Sequence, residues 1–328
     1  MFKIGPYCFA NRLVLAPMAG VTDAIYRQLC REQGAAYTIA EMVASKKSLW
    51  ESKKSTTRHV NVKDPEPRAV QLIGTNAEEL AEAAAWQVSQ GAQIIDLNMG
   101  CPAKKVCAVA AGSALMAQPE QVRAIFRALV ETVAVPVTVK IRTGTEPDRK
   151  NALEIAQLAE ACGLQAISIH GRTRADKFQG QAEYETIRQV KEAVQIPVIA
   201  NGDICSPEKA AFVLEYTGAD AIMIGRASQG YPWIFREINH YLSGQPHLPA
   251  ATPAEFYDTI ARHLQGLYAL YGPEHGVRIA RKHLVWYLQH LAQQLDSLDC
   301  HNFRREFSFI SDAETQLLAV ERFFARHL

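Results

Sequence analysis

The chain has no Cys-x-x-Cys pair. The nearest two of its seven cysteines, Cys101 and Cys107, are separated by five residues. That excludes a structural zinc ribbon and argues against a disulfide framework; reduced thiols in a cytoplasmic protein fit, with no metal expected. No apolar run approaches the ~20 residues that a membrane span needs. Asn11 and Arg12 interrupt the N-terminal stretch before the apolar core of a secretory signal can build. Gly-x-Gly occurs nowhere, so the dinucleotide fingerprint of a doubly wound sheet is missing. Charge of one sign is scarce as well: 35 Lys and Arg face 34 Asp and Glu, a net of +1. A nucleic-acid enzyme has this balance only if its basic residues cluster on one face.

What the 328 residues do have is alternation. Short apolar runs stand at 13–20, 37–43, 68–74, 94–100, 135–142, 166–172, 196–202 and 221–227, most of them separated by amphipathic helical segments such as 76–91 and 119–133. Pro119 suits a first helical turn. The crossover over 44–67 has the weakest helical pattern. Runs of Val, Ile and Ala without alternation are strands buried on both faces, as in a parallel sheet. Eight such units predict an α/β fold, a (β/α)8 TIM barrel over 1–242, with the doubly wound sheet as runner-up. The proline-rich stretch 243–253 reads as a linker. Helical patterns near 253–271, 275–295 and 303–327 predict a small C-terminal helical domain over 254–328.

In a TIM barrel the chemistry sits at the C-terminal strand ends. Gln71, Asn98, Cys101, Lys140, Arg142, His170 and Arg172 fall there, followed by Asn201-Gly202-Asp203 and Gly225-Arg226. A lysine inside an apolar strand must find an anionic or acceptor partner. Glycines after the seventh and eighth strands let the backbone approach a phosphate. A phosphate corner with Lys140 and Gln71 nearer the axis suits flavin mononucleotide, FMN, the lysine stabilising its reduced anion.

The segment IDLNMGCPAKKVCAVAAGS at 95–113 closely resembles the signature of the dihydrouridine synthase family. APMAG at 16–20, VQLIG at 70–74, KIRTG at 140–144, HGRTR at 170–174, NGDI at 201–204 and MIGRA at 223–227 resemble that family's blocks in its order. The likeness runs through GVRIARKHLVWYL at 276–288, and it is nearest to the bacterial B-type subgroup. It implies reduction of a D-loop uridine of tRNA, at position seventeen, with FMN as cofactor and NADPH as electron donor. It implies FMN contacts from Pro17, Met18, Ala19, Gln71, Lys140, His170, Asn201, Gly202, Asp203, Gly225 and Arg226, and Cys101 as proton donor. A thiol with an unperturbed pKa of ~8.5 stays protonated near neutrality yet can release its proton.

For substrate, Asn98, Arg142, Arg172 and Arg174 are candidates to hold uracil carbonyls or a phosphate. The tail sums to −1, but Arg278, Arg281 and Lys282 lie on one helical stripe in a stretch, His275 to Leu295, with no acidic residue. They are candidate phosphate contacts, and an ordinary solvated face is the alternative. One copy of the chain is expected to suffice. Cys107, Ala108 and Val109 depart from the subgroup's polar residues just after the catalytic loop. Two other readings stay open: a flavoenzyme acting on a free pyrimidine, and a non-catalytic RNA-binding barrel.

Overall fold

The computed structural model describes residues 1–60, 64–107 and 109–328, with their side chains except those of residues 53, 54, 104 and 105. Nine parallel strands form one sheet: β1 Leu13–Leu15, β2 Tyr37–Thr38, β3 Val43–Ala44, β4 Ala69–Ile73, β5 Ile94–Met99, β6 Val137–Arg142, β7 Ala166–His170, β8 Val198–Asn201 and β9 Ala221–Ile224. β9 pairs with β1, β1 with β2, and β3 with β4. A bridge from Ile39 to Ala69 spans the break between β2 and β3. The ring therefore closes, and β2 and β3 are two halves of one stave: eight staves, as the runs predict. The expected strand over 37–43 is broken because Glu41 lies in it. That carboxylate, 1% exposed, accepts from Gly20 N and pairs with Arg58.

Strand residues point alternately out and in. Leu97, Val139, Ile141, Ile167 and Ile169 face the helices and join the main core. Gln71, Asp96, Asn98, Thr138, Lys140 and His170 fall in the other phase and make a polar layer inside the barrel. A hairpin of Phe2–Ile4 and Tyr7–Phe9, not foreseen from the sequence, packs under it with Val14, Ile94, Ala166 and Ala221. Burying these rings stabilises the N-terminal end by ~1.5–3 kcal/mol per side chain, away from the strand ends that carry chemistry.

The outer helices start where the sequence places caps. Asn76 caps Ala77–Ser89, Ser206 caps Pro207–Thr217, and Pro119 opens Pro119–Thr132. The 44–67 crossover contains only a short 3-10 turn and one four-residue helix among its described residues. The tail is four helices rather than three: α1 Pro253–Tyr271, α2 Pro273–Leu291, α3 Ser297–Phe309 and α4 Ala313–Phe324. The expected 303–327 segment splits where Asp312 caps α4. These helices share a second core that also takes in Trp233. The tail is tied to the barrel by Tyr271 on Asp23 (3.2 Å), Arg262 on Glu32 (2.8 Å) and Lys282 on Gly20 O.

Candidate active site

All the strand ends open into one cavity of about 1190 Å³. β1 leads into Pro17, Met18 and Ala19; β4 supplies Gln71, β5 Asn98 and the Cys101 turn, β6 Lys140 and Arg142, and β7 His170. β8 leads through Asn201 to Gly202 and Asp203, and β9 to Gly225 and Arg226. Every one of these lines the cavity. A pocket for one drug-sized ligand is ~300–1,000 Å³, so this one has room for two stacked partners.

The floor is cationic. Lys140 Nζ has one side-chain acceptor among the described residues, Asn201 Oδ1 at 3.1 Å. Burial, and then the charge of Arg142, pushes the Lys140 ammonium down to about 8. Burial also drives His170 down to about 2, reinforced by Lys140, Arg142, Arg172 and Arg226. His170 is thus neutral at working pH, and four cations converge on it with an ammonium short of acceptors.

After β8, Gly202 has φ +127°, and a Cβ there would lie 2.6 Å from Ala182 Cβ. Only glycine fits. The Asp203 carboxylate does not face a phosphate as a ligand. It accepts from Arg172 (2.6 and 2.9 Å), Arg226 (2.9 Å) and Ala182 N (2.8 Å). Its work is to aim two guanidinium groups.

The Cys101 loop is held from both sides. Asn98 Oδ1 accepts from Cys101 N at 3.0 Å and Gly100 N at 3.2 Å. Cys101 O accepts from Ser113 Oγ at 2.9 Å and from Cys107 Sγ at 3.6 Å. Burial raises the Cys101 thiol above its ordinary value, with the Ala103 N–H and the charge of Arg142 pulling the other way. This is the direction a proton donor needs, not that of a thiolate nucleophile. Of the three departing residues, Cys107 turns inward, Val109 is 66% exposed, and Ala108 lies outside the described residues.

Several substrate expectations need revising. Arg172 is 3% exposed and spends its donors on Asp203, Gln179 O and Gly180 O, so it braces the loop from behind. Arg142 does line the cavity, but it is 1% exposed and donates to Gly100 O, Thr173 O and Lys177 O. Arg174 reaches Glu146 at 3.1 Å. In the tail stripe, Arg281 donates to Ile310 O at 2.9 Å and Lys282 to Gly20 O; Arg278 alone is exposed. Sequence periodicity marks a face without saying what covers it, and here α3 and the barrel cover most of it. Among the cavity residues that the sequence reading did not single out are His290, which α2 brings to the cavity, and Phe178. Phe178 is 55% exposed, and the Arg142 and Arg226 guanidiniums each lie 5.4 Å from its ring. It sits in a polar loop with no periodicity to flag it.

The family model described as dihydrouridine synthase (Dus) matches residues 14–327. The chain belongs to the dihydrouridine synthase family. It is 55% identical over 322 residues to tRNA-dihydrouridine synthase B of Klebsiella pneumoniae, covering 98% of each chain. It is 54% identical to the protein of that name from Pseudomonas aeruginosa, covering 98% of this chain and 96% of that one. The Escherichia coli K12 protein of the same name is 54% identical, with 98% of each chain covered. Among solved structures, a 2-naphthoyl-CoA reductase complex aligns with a TM-score of 0.56 at 12% identity, over 75% of this chain and 52% of its own. Histamine dehydrogenase from Rhizobium sp. 4-9 aligns with a TM-score of 0.56 at 14% identity, over 80% and 50%. This dihydrouridine synthase thus spans about half of each of those two chains, and they share the barrel fold with it.

Proposed function

We propose that this synthase reduces the C5=C6 bond of a D-loop uridine of tRNA, position seventeen, to 5,6-dihydrouridine, with FMN in the barrel mouth and NADPH as electron donor. The observation that carries the reading is that the Cys101 thiol and the cation-rich strand ends line the same cavity, which is large enough for a ring and a base together.

The residues present fit a flavin phosphate and ring. Lys140 is short of acceptors, Gly202 leaves its backbone open, and Arg226 is held by Asp203 at 2.9 Å. Pro17, Met18, Ala19, Gln71, His170, Asn201 and Gly225 would complete the cradle, with Lys140 beside the ring edge that carries negative charge. When bound, the flavin supplies the hydride that adds at C6 of uracil. The resulting enolate of the base must gain a proton at C5, and Cys101 is the group placed to give it. Asn98 holds the Cys101 N–H, Ser113 holds Cys101 O, and Arg142 holds Gly100 O at 2.7 Å, so the thiol's approach is set by three fixed points. Uridine must leave its stack to enter such a cavity. The tail over 254–328, joined through 243–253, is the platform for a folded tRNA, with Arg278 its free cation among the three expected.

On this reading a single copy of the chain works on tRNA in the cytoplasm. The test is Cys101→Ala. The variant should keep its yellow flavin and lose ~10²–10⁴-fold in turnover; full activity removes the proton donor. Nucleoside mass mapping of tRNA from cells lacking the gene, then with it restored, checks the position.

A further inference from the structure

We propose that Asp96, on the barrel floor, is a positioning residue for the proton donor. Through Gln71 and Asn98 it dictates how the Cys101 loop is held. The inference rests on Cys101 being that donor.

The observation is a relay of four side-chain and backbone contacts. Gln71 Nε2 donates to Asp96 Oδ2 at 2.7 Å, and Asn98 Nδ2 donates to Gln71 Oε1 at 2.8 Å. Cys101 N and Gly100 N then donate to Asn98 Oδ1 at 3.0 and 3.2 Å. Asp96, Gln71 and Asn98 are 0%, 1% and 7% exposed. Thr138 Oγ1 donates to the second oxygen of Asp96 at 2.6 Å, fixing the carboxylate.

Such a relay has only one polarity. At one end stand two backbone N–H groups, which can only donate. At the other stands the Asp96 carboxylate, which when ionised can only accept; burial pushes this carboxyl up, while the Thr138 and Gln71 hydrogen bonds and the Lys140 charge favour its ionised form. Between them lie two amides, each with one donating and one accepting end. If Gln71 turned over, oxygen would face oxygen at Asp96 and N–H would face N–H at Asn98. Asn98 would have to turn too, and the Cys101 loop would lose both of the contacts that Asn98 makes with its backbone N–H groups. A buried acceptor 0% exposed thus governs a turn three contacts away. What matters is the lone pair offered to Gln71, not the charge. Asparagine can offer the same lone pair and give its own N–H to the Thr138 hydroxyl. Leucine cannot.

The competing role is electrostatic, with Asp96 serving as countercharge to Lys140, whose ammonium it raises. The two roles part at asparagine. The experiment uses the full-length chain with flavin bound. It measures single-turnover oxidation of the reduced protein by unmodified tRNA, together with peptide-resolved iodoacetamide alkylation of Cys101 in the flavin-free chain. Exposed Cys8 and Cys205 serve as internal references. Asp96→Leu should slow the single turnover by about 30-fold or more, as a displaced reacting group does, with tRNA affinity unchanged. Its Cys101 should alkylate faster relative to Cys8 and Cys205. Asp96→Asn should stay within about threefold of the parent on both readouts, since a hydrogen bond of the same polarity replaces the one lost. Asparagine as slow as leucine assigns the residue to Lys140 instead and overturns the relay. So does leucine at the parental rate with unchanged alkylation. Should the leucine variant fail to fold, a folded Asp96→Asn protein slowed by more than about tenfold overturns it alone. If the parent itself does not turn over tRNA, the functional reading fails, while alkylation still decides the relay.

Discussion

Arg142→Met separates two roles that one guanidinium could have. Arg142 is 1% exposed and donates to three backbone carbonyls: Gly100 at 2.7 Å, Thr173 at 2.9 Å and Lys177 at 2.8 Å. Burial, with Arg172 adding repulsion, brings the guanidinium down to about 10, so it stays charged at neutral pH. Each bond from a charged donor contributes ~1.5–3 kcal/mol net. Three together set an upper bound of ~5–9 kcal/mol. Methionine keeps most of the volume, and cavity water can reach the freed carbonyls, so the expected loss is nearer ~3–4 kcal/mol. At ~2–4 °C per kcal/mol for a large domain, Tm should fall by roughly 10 °C in a thermal melt of the flavin-bound protein. Gly100 adjoins Cys101, so the loop of the proposed proton donor loses one of its fixed points, and kcat should drop by about 10²-fold at nearly constant KM for tRNA. An unchanged Tm with a raised KM would refute this reasoning. It would mean that Arg142 grips RNA, as the sequence alone suggested, rather than the loop.

Lys140 gives a pH signature. Its pKa is depressed from 10.5 to about 8, so the unfolded chain binds the proton more tightly than the folded one between those values. The penalty is present in full below about 8 and is relieved as pH rises toward 10.5. Urea unfolding of the flavin-free chain should therefore show stability rising across that window by up to ~3 kcal/mol more than in Lys140→Met. Parallel curves refute the assignment. In the tail, Arg278→Glu should weaken tRNA binding and lower the slope of log affinity against log salt by about one. Arg281→Met and Lys282→Met should instead lower Tm, because those side chains hold Ile310 O and Gly20 O; a pure affinity loss for either returns it to the RNA surface.

The barrel was legible because burial on both faces leaves a mark that needs no partner to read: β5, β6 and β7 are runs of Ile, Val, Leu and Ala broken only by inward polar residues. The cavity residues were legible for a related reason. Lys140 and Gln71 are costly inside a strand, so their presence signals a ligand. What the sequence did not show was where long side chains end. Arg142, Arg172, Arg281 and Lys282 each have a sequence position that suits RNA and a reach that takes them elsewhere. Their partners are mostly backbone carbonyls, of Gly100, Gln179, Ile310 and Gly20. Carbonyls carry no side-chain identity and leave no trace in a sequence. Phe178 and His290 were missed on similar grounds, since each is brought to the cavity by a loop or a helix from outside the barrel strands.

The near-neutral total of +1 does not weigh against an anionic ligand, because cations gather locally at the strand ends. Lys140, Arg142, Arg172 and Arg226 all bear on His170 at the strand ends, and Asp203 is the acid that pairs with two of them. The balancing acids lie largely on outer helices, as Glu185 and Glu192 do with Arg188. A field confined to a low-dielectric cavity acts strongly on what enters it, whereas exposed pairs are screened within ~8–10 Å. At the tail, Arg281 and Lys282 keep their charge but give short-range donors to Ile310 O and Gly20 O, which leaves Arg278 as the one of the three exposed to meet a phosphate directly. On the proposed reading, tRNA is then selected by close-range fit of a folded shape, and affinity should depend less steeply on salt than three direct phosphate contacts would require.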